Sequence, residues 1–175
     1  MPKYNIFAPE QRLVVKYKGL FDLQGLYSLI RSWYDKRGFE FHENLYKTHE
    51  PKTGNMEVFI KGFRHDTPYM QVWVDVIFRL WDLHDVEVIH AGKKKQMMKA
   101  RLTIQIESWI ETDYERKWEK SKFFVSLRDF YEKYIIKRKI EMYINKIEYE
   151  VHNFQNALKK ELKMEATGGA YTDMW

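Results

Sequence analysis

Cysteine is absent from this chain, and its absence removes three kinds of chemistry at once. Disulfides, thiolate metal sites and a cysteine nucleophile all require the missing thiol. Glycine is scarce, with 8 in 175 residues, and the glycines are too scattered to form a phosphate-binding loop. The signatures HExxH and GxSxG do not occur either. The sequence therefore predicts no catalytic residue, no metal and no cofactor, and it favours a non-enzymatic protein.

Long hydrophobic runs are missing as well. No stretch reaches the roughly 18 consecutive apolar residues of a membrane-spanning helix, and residues 1–10 lack the charged-then-apolar pattern of a secretory signal. Charge of one sign does not dominate, because 30 basic and 25 acidic residues leave a net charge of +5. We expect a cytoplasmic protein with no membrane span, and the abundance of Lys, Glu, Ile and Tyr gives it a thermophile-like composition.

Residues 121–165 contain neither glycine nor proline. Ser121 is placed to cap a helix, because its hydroxyl can accept a hydrogen bond from a backbone N–H of the first turn. A single helix of this length would span about 67 Å, whereas a compact chain of this size is about 40 Å across. We therefore expect the helix to extend beyond its domain or to break near Lys137, with its first section packed on a sheet.

Two apolar stripes follow each other along this segment, separated by Lys137, Arg138 and Lys139. The first stripe consists of Phe124, Leu127, Phe130, Tyr131, Tyr134 and Ile135. The second has the spacing of a heptad seam and consists of Ile140, Ile144, Ile147, Val151, Phe154, Leu158 and Leu162. Its positions from Ile140 to Leu158, together with Trp175, are the predicted interface with a partner. The alternative is that the same seam packs against other parts of its own chain.

The rest of the chain has the pattern of an α+β domain. Strand patterns occur in residues 12–18, 39–48, 56–63, 69–81, 86–91 and 96–110, with polar turns between them. A short amphipathic helix is predicted between Asp22, its N-cap, and Gly38, which ends it. We predict a curved antiparallel sheet of about six strands, one short helix after the first strand, and a long C-terminal helix packed on or extending from the sheet.

This order suggests three segments. Residues 1–139 form the α+β domain including the start of the long helix, residues 140–165 form a helical extension with the heptad-like seam, and residues 166–175 form a tail. By element order the chain resembles the helix-grip folds of START-type lipid carriers, in which an antiparallel sheet wraps on a C-terminal helix. The resemblance concerns element order and includes no shared motif.

Residues 69–81 form the most informative predicted strand, which ends in a turn over residues 82–85. Its even-numbered positions are apolar from Met70 to Leu80, while Trp73, Ile77 and Trp81 share the opposite face. A strand with one apolar face and large aromatics on the other is expected at the centre of a sheet. The aromatic face needs cover from the first helix, from a curled sheet or from another subunit.

The first functional hypothesis is a structural or interaction protein that forms a homo-oligomer or binds a protein partner through the long helix and its aromatic surfaces. The second is a carrier of an apolar ligand held between sheet and helix by Trp73, Trp81, Phe130 and Tyr134. The third is nucleic-acid or ribosome binding through a basic hairpin, which contains Lys93, Lys94, Lys95, Lys99 and Arg101. The nearest approach to a metal site is a cluster at the predicted turn, Asp82, His84 and Asp85, but a polar turn joining two strands explains these residues without a metal, and no metal site is predicted.

Overall fold

A computed structural model describes residues 2–7, 12–46, 55–90 and 93–164 of the protein. The strands are β1 (Lys3–Asn5), β2 (Leu13–Phe21), β3 (Glu40–Tyr46), β4 (Met56–His65), β5 (Met70–His90) and β6 (Lys93–Thr112). The helices are α1 (Leu23–Lys36), between β2 and β3, and α2 (Lys122–Phe130) and α3 (Lys137–Glu161), which follow β6. The predicted α+β architecture is confirmed, while the short strand β1 is an addition that the sequence did not indicate.

The six strands form one open antiparallel sheet in the order β1-β6-β5-β4-β3, and β2 also pairs with β6. Because β5 occupies one edge of β6 along its whole length, β1 and β2 share the other edge. The even-numbered residues of β5 from Met70 to Leu80 are buried as predicted. They face α1 and α3, so the sheet has an inner face under the helices and an outer face that carries the odd-numbered residues of β5 up to Trp81, where the register shifts.

Helix α1 is held on the sheet by a tyrosine that lies over a glycine. Asp22 caps the helix as predicted, because its carboxylate accepts a hydrogen bond from the Gly25 N–H at 2.9 Å. Near the other end, the Tyr34 hydroxyl donates to the Val74 carbonyl at 2.9 Å. A Cβ atom added to Gly62 would lie 2.1 Å from the Tyr34 ring, so only glycine allows this close approach.

The predicted turn over residues 82–85 is wrong. Strand β5 continues through it to His90, and the register with β6 shifts between Trp81 and His84. Asp82 has a φ of 57°, which absorbs the irregularity as a β-bulge does. The polar residues that suggested a turn therefore mark a bulge inside a long hairpin. The turn predicted over residues 49–55 lies, except for Asn55, outside the described residues.

The C-terminal helical segment is interrupted near Lys137, as the broken-helix alternative predicted. A π-helical turn, Tyr131–Ile135, follows α2, and Ile136 has a non-helical φ of −105° and ψ of 7° before α3 begins. Helix α3 then crosses the inner face of the sheet. Its C-terminal end reaches the start of α1, where the Glu161 carboxylate lies 3.2 Å from the position of a Cβ atom on Gly25.

Candidate functional site

The segment formed by α2 and the π-helical turn directs charged side chains towards the rest of the protein. Glu132, in the π-helical turn, is only 5 % exposed. Its carboxylate accepts a hydrogen bond from the Tyr4 hydroxyl at 2.8 Å and another from the Tyr69 hydroxyl at 2.6 Å. Arg128 is 8 % exposed and lies 3.0 Å from the Asp129 carboxylate. The inward face of this segment is therefore polar and satisfied by specific partners.

The two tyrosines are well suited to donate these hydrogen bonds. Burial, followed by the hydrogen bond to Glu132, raises the pKa of Tyr4 to about 12. The same two causes, in the same order, raise the pKa of Tyr69 well above its ordinary value. Both hydroxyls stay protonated at neutral pH. They hold the Glu132 carboxylate from two places, because Tyr4 lies in β1 and Tyr69 directly precedes β5.

The outward face of the same segment is apolar. We name this face the α2 surface; it consists of Phe123, Phe124, Leu127, Phe130, Tyr134 and Ile135, which are 41 to 71 % exposed. The expectation that the first section of the long helix packs its stripe on the sheet is therefore wrong. The physical reason is that Glu132, on the opposite side, makes the hydrogen bonds with the protein body, so five of the six stripe residues face solvent. The sixth, Tyr131, is half-buried against the core and stacks on Trp118.

The seam positions behave in the opposite way. Ile140 is 3 % exposed, and Ile147, Val151, Phe154 and Leu158 are fully buried. Ile144 is half-buried against the same core. The Phe154 ring stacks on the Trp33 ring of α1 at a centroid distance of 4.4 Å. The predicted interface residues thus lie against the sheet and α1 of their own chain, and Trp175 lies outside the described residues.

The four residues predicted to line an apolar ligand site are not brought together. Trp73 and Trp81 lie on the outer face of the sheet, which neither α1 nor α3 covers. Phe130 and Tyr134 belong to the α2 surface, where their ring centroids are 5.0 Å apart. These four side chains therefore do not share a cavity.

Aromatic rings run across the outer face of the sheet. The Trp73 and Trp109 rings stack at a centroid distance of 5.7 Å with only 8° between their planes. Phe63 lies 5.1 Å from Trp73 on the other side, and His42 stacks on Phe63 at 5.6 Å. The Lys3 ammonium lies 5.2 Å from the centroid of the Trp109 ring. The outer face around Trp73 is thus covered mainly by neighbouring side chains of the sheet and not by a helix.

Asp75 follows Trp73 on the outer face of β5 and lies between two charged neighbours. Lys61 stands opposite it on β4 and Glu107 opposite it on β6. Burial, partly offset by Lys61, raises the pKa of Asp75 to about 6. Its Oδ1 atom has no hydrogen-bond partner among the described residues. The centre of the outer face is therefore a balanced mixture of charges and not an anion-binding surface.

The predicted basic residues fall at the hairpin end of this face, where some are already paired. Arg101 lies 2.6 Å from the Asp82 carboxylate, and Lys94 lies 3.3 Å from Glu87. Lys99 is exposed, whereas the side chains of Lys93 and Lys95 lie outside the described part.

Strand β2 adds cations that sequence reasoning missed. Lys16 and Lys18 lie beside Thr103 and Arg101 in the register of β2 with β6. Together with Trp81, which stands opposite Arg101, they line a shallow concavity of about 380 Å³. Only the pairing of β2 with β6 brings residues so distant in sequence together, so no sequence pattern indicated this group.

In the described ranges, no three His, Asp or Glu side chains are grouped closely enough to hold a metal ion, and this includes Asp82, His84 and Asp85. None of the described helices is both long and apolar enough to cross a membrane. Comparison with protein-family models, with curated proteins and with solved structures finds no match for this chain.

Proposed function

We propose that this is a non-enzymatic interaction protein that self-associates through the α2 surface. The observation that carries the proposal is the orientation of the helix. Phe123 is 71 % exposed and Phe130 is 54 % exposed, while Arg128 and Glu132 on the same segment are buried. Contiguous exposed apolar surface of this kind is uncommon on monomers and marks an interaction site.

The size of the α2 surface supports a contact between two copies. Six large side chains with the observed exposures leave roughly 600 Å² of apolar area uncovered. Two copies in contact would bury about 1,200 Å², the lower limit of a standard stable interface. The edge of the surface mixes Lys122 and Lys133 with Asp129, all exposed, so two copies would not meet as like charges alone.

The test is the absolute mass in solution, measured by light scattering at two concentrations of the full chain. We expect a dimer for the unaltered protein and a folded monomer for the double variant Phe123→Glu, Phe130→Glu. The matched control is Met142→Glu, Tyr149→Glu, because these side chains are 60 % and 70 % exposed on α3. The control should remain a dimer.

Two results would contradict self-association. One is a monomeric unaltered protein at both concentrations, and the other is a double variant that keeps the dimer mass. A monomer that sediments with anionic lipid vesicles, and loses this ability in the double variant, would assign the α2 surface to a membrane surface instead.

A second candidate function, binding of single-stranded nucleic acid, is favoured by the group around Trp81. The half-buried indole of Trp81 borders the concavity and gives a base a partial stacking platform. Lys16 and Lys18 make no ion pair with a described residue, so they remain available to phosphates. Binding of a labelled oligonucleotide should weaken steeply with added salt. It should be lost in Lys16→Glu, Lys18→Glu and retained in the remote control Lys133→Glu. Salt-independent binding, or equal loss in the control, would end this candidate.

A further inference from the structure

An apolar groove lies between the start of α1 and the inner face of strands β4, β5 and β6. Its volume is about 310 Å³. The apolar lining consists of Leu23, Tyr27, Met56, Val58, Phe78, Leu80 and Met98, and the polar lining consists of Gln24 and Glu43. The groove lies at the end of the sheet next to the first turns of α1, away from the α2 surface.

The floor and the walls of the groove differ in rigidity. Val58, Phe78 and Leu80 form a floor that is at most 5 % exposed, and these residues belong to the hydrophobic core. Met56 and Met98 are half-buried on the walls. Methionine side chains are unbranched and adapt to different shapes, which suits a site that receives a flexible apolar molecule.

The rim of the groove has a defined hydrogen-bonding character. The Tyr27 hydroxyl donates to the Glu43 carboxylate. Burial, followed by this hydrogen bond, raises the pKa of Tyr27 to about 12, so Tyr27 remains a donor at neutral pH. Glu43 is exposed and accepts from Tyr27 through Oε2 only, which leaves acceptor sites for a second donor. The charge of Arg31 partly offsets the rise in the pKa of Tyr27, but its guanidinium lies 5.4 Å from the Phe41 ring centroid and does not line the groove.

We propose that this groove binds a single-chain amphiphile whose hydrocarbon tail lies on the floor and whose hydroxyl or ammonium head group donates to Glu43. The rim selects the head group, because an anionic carboxylate would meet the negative charge of Glu43. With a volume of about 310 Å³, the groove is at the lower end of the size range of small-molecule sites, which suits one short hydrocarbon tail.

The test uses the full chain with methionine methyl groups labelled with ¹³C, and three probes of equal length. Decylamine and decanoate are used below their micellar concentrations, and decan-1-ol below its solubility limit. We expect decylamine and decan-1-ol to shift the methyl signals of Met56 and Met98 and to leave Met142 unchanged. Met142 is the internal reference because it lies exposed on α3. Calorimetric titration should give decylamine an affinity about tenfold higher than that of decanoate.

Two variants separate the tail from the head group. Met98→Trp fills the groove and should weaken decylamine binding about tenfold, while the remote control Met142→Trp should leave it unchanged. Glu43→Gln should bring the affinities for decylamine and decanoate close together. If decylamine shifts neither Met56 nor Met98, or if decanoate binds the unaltered protein as tightly as decylamine does, the proposal is overturned.

Discussion

The two C-terminal helices, α2 and α3, are both amphipathic, yet they place their apolar faces in opposite environments. In α3, Val151, Phe154 and Leu158 are fully buried under the protein's own sheet. In α2, Phe123 and Phe130 are 71 % and 54 % exposed. A hydrophobic period therefore identifies the apolar face of a helix, whereas the surrounding structure decides what covers that face.

The surroundings of the two helices explain the difference. Helix α3 crosses the inner face of the sheet, where strands β5 and β6 present a continuous apolar surface. The segment from α2 to the π-helical turn meets the hydroxyl groups of Tyr4 and Tyr69 instead. Partly buried hydroxyls require an acceptor, and Glu132 supplies it. Orienting Glu132 inward turns the apolar side of α2 outward.

The largest expected effect comes from truncating one central residue in the apolar stripe of each helix. Phe154→Ala should lower the free energy of unfolding by about 3–5 kcal/mol, because it leaves a cavity between α3, Trp33 and the sheet. Phe130→Ala should change it by less than about 0.5 kcal/mol, because the side chain is mostly in solvent. Urea unfolding of both variants, at a concentration where the chain is monomeric, measures the difference.

Equal losses in these two variants would contradict the placement of α2. Such a result would mean that Phe130 is covered within the monomer. A small loss in Phe154→Ala would contradict the burial of α3 instead, and it would return the seam to the role of a partner surface.

The elements with a strong local signal were predictable from the sequence. The alternation of residues 70–80 identified the central strand, and Asp22 and Ser121 marked the starts of α1 and α2. These features depend on neighbours within a few residues, so the sequence contains all the information they need.

The features that failed depend on contacts between distant residues. The acceptor role of Glu132 depends on Tyr4, which is 128 positions away in the chain. The group around Trp81 depends on the pairing of β2 with β6, and β1 pairs with residues of β6 that are more than 100 positions away in the chain. Asp82 looked like a turn residue because a bulge and a turn favour the same backbone conformation.

A medium effect is expected where α2 is attached to the body. Glu132→Gln keeps the shape of the side chain but can accept only through its carbonyl oxygen, so one of the two tyrosine hydroxyls is left facing an amide donor. We expect a loss of about 1–3 kcal/mol in the free energy of unfolding. The matched control is Glu141→Gln on α3, which is exposed and should show almost no loss. Equal losses would mean that Glu132 is not a buried acceptor.

A smaller effect is expected in the alkaline range. The folded-state pKa of Tyr4 is raised to about 12, while its unfolded value is about 10. The stabilisation is therefore complete below about pH 10 and disappears as the pH rises through the folded pKa. The unaltered protein should lose stability more steeply over this interval than Glu132→Gln, in which one cause of the raised pKa is missing. Parallel profiles of unfolding free energy against pH would contradict this role of Glu132.

The smallest expected effect concerns how the two helices begin. Helix α2 starts at Ser121, whose hydroxyl accepts from the Phe124 N–H at 3.4 Å, whereas α3 starts at Ile136 without a side-chain cap. Because this hydrogen bond is long, Ser121→Ala should cost only about 0.5 kcal/mol. The loss should be local, so hydrogen exchange at the Phe124 amide should accelerate about twofold while the amides of α3 stay unchanged. Ser126→Ala, in the exposed middle of α2, is the control and should slightly slow exchange, since alanine favours helix. Acceleration that extends into α3 would show that the two helices open as one unit in spite of the π-helical turn between them.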